Sequence, residues 1–273
     1  MTLGRFFRTP KGVATIVLGG LTIIAAFGED ATLVGQVVGG AVAAAMLFDV
    51  FALRVLRGRW HFPSGALLTG LIVAAVLSPH VAWWVSALTA TVGVAAKYVF
   101  RVKPANIFNP AALGLVVTFY PFATGQSWWG ALPDLSPYAI VVLLAAGIFM
   151  AYRVAKIPIV LSFLGVYYLL FTAMSFIGDP AFVSTLYRAP DLHAALYFAF
   201  FMVSDPPTSP PKPRDQVIFG AIVAVACLVM FELNHAVYFL AAGLLVGNVW
   251  EAWRRMRLKA NRASRVNTAA AAA

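Results

Sequence analysis

Long uninterrupted apolar runs constrain this chain more than any other feature. Ten can be read, over 13–28, 31–53, 64–79, 80–100, 107–122, 137–152, 157–178, 191–204, 216–233 and 235–253. A helix needs about 20 apolar residues to cross the hydrocarbon of a bilayer. The expectation is therefore an all-α, polytopic membrane protein of about ten transmembrane helices. Composition agrees: 62% of the 273 residues are hydrophobic and 11% are charged, too few charges to coat a soluble globule of this size. A single transmembrane domain over 1–253 and a basic cytoplasmic tail over 254–273 follow.

The net charge of +10 does not point to nucleic acid, because the basic residues lie in short groups between apolar runs and form no basic face. With the N-terminus placed in the cytoplasm and the loops numbered alternately, nineteen of the twenty basic residues fall on the inner side and only Arg188 falls outside. Basic loops are retained in the cytoplasm, so an inner-membrane protein with both ends cytoplasmic is expected. The six basic residues after Trp253 suit anchoring to anionic lipid. The lone Cys227 excludes an internal disulfide framework and any CxxC motif, and its apolar surroundings read as a buried thiol. No cleavable signal peptide is evident.

Five spans per half would let the second half enter from the opposite side, an inverted repeat over 1–122 and 137–253. Weak echoes accompany this: Asn109-Pro110-Ala111 beside Asn234-His235-Ala236, and Ser78-Pro79 beside Ser204-Asp205-Pro206. Gly35, Gly39, Gly40, Gly65, Gly70, Gly243 and Gly247 suit close helix packing through small residues.

Two segments ask for more than packing. In Phe108-Asn109-Pro110-Ala111, Asn is a good helix cap and Pro is preshaped for the first helical position. A helix beginning there points its amides and positive dipole end at whatever lies before it, which suits an anionic or carbonyl-rich ligand; an ordinary capped span is the plainer alternative. In Phe200-Phe201-Met202-Val203-Ser204-Asp205-Pro206-Pro207-Thr208-Ser209-Pro210-Pro211-Lys212-Pro213, five prolines in eight residues exclude helix. Asp205 closes an aromatic run at the membrane edge, where a carboxylate must be paired or solvated. It is either a site residue or the cap of a rigid turn, paired with Lys212 or Arg214. Asp49 and Lys97 either pair in the bundle or reach separately to the interface; the separate placement is the favoured reading. His193 and His235 share the outer side without a haem-binding spacing, so haem is not expected. No P-loop, dinucleotide fingerprint, zinc motif or Ser-His-Asp pattern is present, and no autonomous active site is seen.

Ser64-Gly-Ala-Leu-Leu-Thr-Gly-Leu71, Ile107-Phe-Asn-Pro-Ala-Ala-Leu-Gly114 and Phe201-Met-Val-Ser-Asp-Pro-Pro-Thr-Ser-Pro210, in this order, resemble the NqrB/RnfD family. These are membrane subunits of the sodium-pumping NADH:quinone oxidoreductase and of Rnf electron-transport complexes. The resemblance implies a ten-helix inverted-repeat fold similar to urea channels, a bound flavin, and electron transfer through the membrane beside other redox subunits. Family members attach FMN to Thr in a Ser-Gly-Ala-Thr sequence on an outer loop. Here that loop is Ala123–Ser136 and lacks it, and Ser64-Gly65-Ala66 is followed by Leu67. Covalent FMN is therefore not expected, and neither is the family's long N-terminal extension, so a divergent or stand-alone relative is envisaged. A noncovalent flavin, riboflavin or FMN, is expected against Phe108, Asn109, Pro110, Phe200, Phe201, Ser204, Asp205, Thr208 and Ser209. A channel or transporter for a small polar solute or flavin, and a structural accessory subunit, are the alternatives.

Overall fold

The computed structural model describes residues 6–58, 60–102, 105–178, 183–234 and 237–271. Among the described residues the chain is all-α apart from one antiparallel pair of two-residue strands, Arg101–Val102 and Ala105–Asn106. In chain order the helices are α1 Pro10–Ala25, α2 Ala31–Arg57, α3 Ser64–Val76, α4 Trp83–Val99, α5 Pro110–Phe122, α6 Ala139–Arg153, α7 Ile157–Ile177, the four-residue α8 Val183–Leu186, α9 Asp191–Tyr197, α10 Pro213–Asn234 and α11 Phe239–Ala271. Local chemistry sets several starts. Thr9 caps α1, Asp30 accepts from Thr32 and Leu33 at the head of α2, and Asn109 caps α5, with Pro at the first position of α1 and α5. Gly58, at φ 68°, ends α2 in the left-handed conformation that glycine adopts without penalty.

The expectation of about ten transmembrane helices in a 5+5 inverted repeat is not met. Among the described residues four helical stretches are long and apolar enough to cross a membrane: Pro10–Gly28, Ala31–Leu56, Ile157–Ile177 and Pro213–Leu233. Four more are apolar but short: Ser64–Val76, Pro110–Phe122, Ala139–Arg153 and Asp191–Val203. At about 1.5 Å per residue, thirteen to fifteen residues reach only some two-thirds of a hydrocarbon core about 30 Å thick. The apolar runs of the sequence include loop and turn residues that lengthen them without lengthening the helices. What stands is a multi-pass bundle of apolar helices. Residues 254–271 continue α11 as helix. Arg5, Arg59, Lys103, Asp179 and His235 lie outside the described residues.

Two packed groups form the bundle. In one, α2 lies along α3 and α4, and α4 along α5; in the other, α10 lies along α7 and α11, and α5 touches α11. Hydroxyls tie neighbouring helices: in the apolar interior Ser86 Oγ donates to the Val37 carbonyl (3.0 Å) and Thr89 and Thr118 share a hydrogen bond (2.9 Å), and on the exposed side Ser162 Oγ donates to the Val217 carbonyl (2.7 Å). Cys227 is buried, as expected, and packs on α11.

The glycines divide. A Cβ at Gly40 would lie 2.6 Å from the Trp83 carbonyl oxygen, whereas nothing approaches Gly35, Gly39 or Gly65 within 4 Å. Gly40→Val is expected to lower stability by about 1–3 kcal/mol through overpacking. Gly39→Val, one residue away on the same helix, should leave it within about 0.5 kcal/mol. Thermal unfolding of both variants in detergent checks the contrast, and equal losses would contradict the packing assigned to Gly40.

Candidate functional site

Prolines dictate the architecture around Asp205. The chain from Ser204 to Lys212 carries few N–H donors and a full set of carbonyl acceptors, so it cannot satisfy itself as helix or sheet. Other elements supply the donors. Arg255 Nη1 donates to the Pro207 carbonyl (3.0 Å), Asn248 Nδ2 to Thr208 (3.2 Å), and Arg255 Nη2 and Lys156 Nζ to Ser209 (3.3 and 3.4 Å). Lys156 Nζ donates also to Pro210 (2.6 Å), and Gln216 Nε2 to Pro211 (3.2 Å). Five consecutive carbonyls are thus held by side chains from α11, α10 and the α6–α7 turn. Glu251, almost fully buried, fixes the guanidinium of Arg255 (2.7 Å) and that of Arg254, which also bridges to Asp215 (2.8 Å).

Asn109 and Asn248 join this loop to the head of α5. Asn109 Oδ1 accepts from the Ala112 amide (3.1 Å), and its Nδ2 donates to the Met202 carbonyl (3.3 Å). Asn248 Oδ1 accepts the Asn109 backbone N–H (2.8 Å) while its Nδ2 holds Thr208. Met202 belongs to a six-residue π-helical turn, Phe198–Val203, that follows α9 and leads into Asp205. Wide turns of this kind are frequent at functional sites.

The two segments singled out in the sequence line one cavity of about 1140 Å³. Of the nine expected site residues, Asn109, Pro110, Phe200, Phe201, Ser204 and Asp205 line it. Phe108, Thr208 and Ser209 do not. Phe108 packs edge-on to Phe100 (5.5 Å between centroids). Thr208 Oγ1 donates to Asp205 Oδ2 (2.8 Å) and Ser209 Oγ to the Asp205 carbonyl (2.7 Å), so both hydroxyls shape the turn. Ser204 Oγ donates to the Phe200 carbonyl. The Asn109 amide is likewise consumed within the protein. Asp205 Oδ1 accepts no hydrogen bond from any described residue, and Asp205 pairs with neither Lys212 nor Arg214. Burial pushes its carboxyl above the ordinary range, opposed by the Thr208 hydroxyl and by Lys11, Lys156 and Arg255.

Asp49 and Lys97 form an ion pair in the cavity wall, and Tyr98 donates its hydroxyl to the same carboxylate. This corrects the favoured reading of separate placement. Packing of α2 on α4 leaves Asp49 2% exposed, and a carboxylate so enclosed needs a partner. Lys156, Asn248 and the π-helical turn carry no local signature: each acts through residues some fifty to a hundred and forty positions away. Burial pushes the Lys156 ammonium down to about 8, with Asp205 and Glu251 opposing. His193 is buried with Nδ1 against the Ala131 carbonyl (2.8 Å).

Asn248→Ala strands the Asn109 amide and the Thr208 carbonyl, at about 1–3 kcal/mol for each buried group left unpaired. Asn248→Asp keeps the acceptor and should lose less; denaturation in detergent ranks the two, and the reverse order would contradict the bridging role. For Asp49 and Lys97, either neutralising change alone is expected to cost about 3–5 kcal/mol, and the double change less than their sum. Additive losses in a double-mutant cycle would contradict a coupled pair.

Comparison with known proteins places these features. The chain is 35% identical over 80 residues to the D-type component of the ion-translocating oxidoreductase complex of Escherichia coli, covering 29% of this chain and 21% of that protein. It is 39% identical over 67 residues to the component of the same description from Klebsiella pneumoniae, covering 24% and 19%. The chain thus spans about a fifth of the length of the curated relatives it matches. The model of the NQR2, RnfD, RnfE family matches residues 11–139 and 135–252, which include the Asn109-Pro110 cap, the Asp205 loop and Asn248. By that match over most of its length, the chain belongs to the NQR2, RnfD, RnfE family.

Proposed function

We propose that this multi-pass membrane protein holds a flavin noncovalently in the cavity between Asn109 and Asp205 and serves as an electron-transfer subunit of a larger membrane complex. The observation that carries this reading is the convergence of two segments about ninety residues apart on one aromatic-walled cavity with a half-buried carboxylate. Its volume matches or exceeds the usual range for small-molecule sites. Phe200 and Phe201 offer an apolar wall, and Asp205 Oδ1 is an acceptor without a partner among the described residues. The ring system of a flavin, flat and edged with N–H and C=O groups, suits that combination.

A flavin at this place would supply one- and two-electron redox chemistry. The chain's own residues would do the rest. The network around Asn248 and Lys156 holds the Asp205 loop rigid, and Asp205, its carboxyl raised by burial, is suited to accept a hydrogen bond from the guest and to hold a proton beside it. The Thr124 hydroxyl, on the 123–136 loop, is enclosed and so is not open to covalent attachment. Because the sequence has no dinucleotide fingerprint, electrons must arrive and leave through partner subunits, in keeping with relatives described as components of an oxidoreductase complex.

Among the described residues the cavity takes no lining from the 123–136 loop, and Val73 and Val76 in the last turn of α3 and Leu77 just after it are fully buried. That favours a holding site over a solute channel. Lys11 lines the same cavity as Pro207, whose carbonyl is held by Arg255, so the N-terminal part of the chain and the basic part of α11 lie at one end of the bundle. Together with the basic loops this supports a reading in which that end faces the cytoplasm.

Protein purified in detergent is expected to show the near-ultraviolet and blue absorption bands of flavin, with the pigment released by denaturation and not retained on the chain. Phe201→Ala and Asp205→Asn are each expected to lower flavin affinity at least tenfold, about 1.4 kcal/mol, while the protein remains folded. A folded preparation that stays colourless after incubation with both riboflavin and FMN would overturn the proposal.

A further inference from the structure

One wall of the cavity is held differently from the others. The first half of α1 and the turn before it supply Phe6, Thr9, Lys11, Ala14 and Leu18 to the lining. From Thr9 to Val17, however, only Gly12 is buried. Its cover is its own chain, since a Cβ there would collide with the Phe6 carbonyl. Val13, Ala14 and Val17 are only partly buried. The second half of α1 is anchored: Leu18, Leu21, Thr22 and Ala25 are buried at the spacing of one helix face, and the three apolar ones belong to the main core.

Polar ties show the same division. The hydrogen bonds described for 6–18 close within α1 and the turn before it. The Thr9 hydroxyl donates to the Phe6 carbonyl (2.7 Å) and accepts from the Gly12 amide (3.1 Å), and the Thr15 hydroxyl donates to the Lys11 carbonyl (2.9 Å). Among the described residues no hydrogen bond or ion pair ties this segment to another element, although the charge of Lys11 is felt at Asp205. Its tip rests on an aromatic contact: buried Phe6 meets Phe62 edge-on, with centroids 5.1 Å apart, and Phe62 also lines the cavity. The two halves meet at Gly19-Gly20. A Cβ at either position would find nothing within 4 Å, so close packing does not account for glycine at either, in contrast to Gly40. Glycine weakens a helix interior, and small-residue pairs are places where helices bend. Ile16 is exposed, so movement of the first half away from the cavity meets lipid.

We propose that residues 6–18 form a gate to this cavity, swinging as one body about Gly19-Gly20 with the Phe6–Phe62 contact as the latch, and that the guest enters and leaves beneath them. A segment with few buried apolar contacts opens at lower cost than the core around it, and a hinge needs only one or two positions that absorb the change. The gate belongs to the cavity whatever its occupant, so it goes beyond the flavin reading and its first test needs no ligand.

Thr69, on α3, is buried and lines the cavity. A Thr69→Cys reporter in the full chain, held in nanodiscs, is treated with a water-soluble methanethiosulfonate and its modification followed by mass. The parent chain, whose Cys227 is buried, is the blank. Adding Phe6→Ala, which removes the latch, is expected to raise the rate by about fivefold or more. Adding Gly19→Ala/Gly20→Ala, which stiffens the hinge without a clash, is expected to lower it by about as much. General loosening of the fold would raise the rate in both, so opposite signs support the gate and any other pattern overturns it. With FMN or riboflavin as probe, the Gly19→Ala/Gly20→Ala variant should slow association and release by a common factor and leave Kd within about twofold. Opposite signs at Thr69→Cys in a chain that takes up neither flavin keep the gate and overturn the flavin reading. Flavin binding with reporter and flavin rates unmoved overturns the gate alone.

Discussion

Satisfying the carbonyls of a proline-rich loop without water is the constraint on which the rest of the site depends. Prolines remove donors from Ser204–Lys212 but leave every acceptor, and an unpaired buried carbonyl costs about as much as a lost hydrogen bond. The bundle meets this with long polar side chains from three directions: Lys156 from the α6–α7 turn, Gln216 from α10, and Asn248 and Arg255 from α11. Each then needs its own compensation. Arg255 has it in Glu251, and Asn248 has it in the Asn109 amide. Lys156 differs: its ammonium donates to carbonyls and makes no salt bridge, and burial depresses it against the field of Asp205 and Glu251. The loop is rigid because its neighbours are mutually committed.

That commitment explains why residues that look like ligands in the sequence turn out to be architecture. Asn109 has one amide group and uses both of its ends, on Ala112 and on Met202. Thr208 and Ser209 fold back on Asp205. The polar atoms directed at a guest are thereby reduced to few, which is how a recognition site in an apolar setting gains selectivity: a small number of fixed partners in otherwise hydrophobic walls.

Features with local causes were legible in the sequence. Proline excludes helix and Asn-Pro begins one, so the cap at Asn109 and the irregular loop after Asp205 follow from their own residues. Hydropathy gave the all-α membrane class, because burial of backbone in lipid leaves helix as the simplest solution. Helix length was not legible, since an apolar run does not reveal where turn residues begin; the run 64–79 contains a thirteen-residue helix. The Asp49–Lys97 pair was offered by the sequence but separate placement was favoured over it, because depth along a helix does not specify which face meets a neighbour. Lys156 and Asn248 stand in ordinary contexts, a basic turn and an apolar helix, and only the fold brings them to the loop.

The shortness of α3, α5, α6 and the α9 segment has a consequence for where the cavity sits. A thirteen-residue helix falls about 10 Å short of the hydrocarbon thickness, so a short helix with one end at the interface places its other end among side chains at membrane depth. Unsatisfied amides or carbonyls there cannot face lipid. They must be buried against polar protein groups or open into a polar cavity. The starts of α3 and α5, the end of α6 and the end of the π-helical turn all open into the same cavity, and Asn109, Ser64, Asp205 and the Asp49–Lys97 pair are among the polar groups that line it beside them. The cavity is therefore the place where the ends of short helices are reconciled with an apolar surrounding. Of the long helices α2 reaches it through Asp49 and Leu53, and the proline-rich loop, held by side chains from three directions, supplies Asp205, Pro206 and Pro207 to its wall.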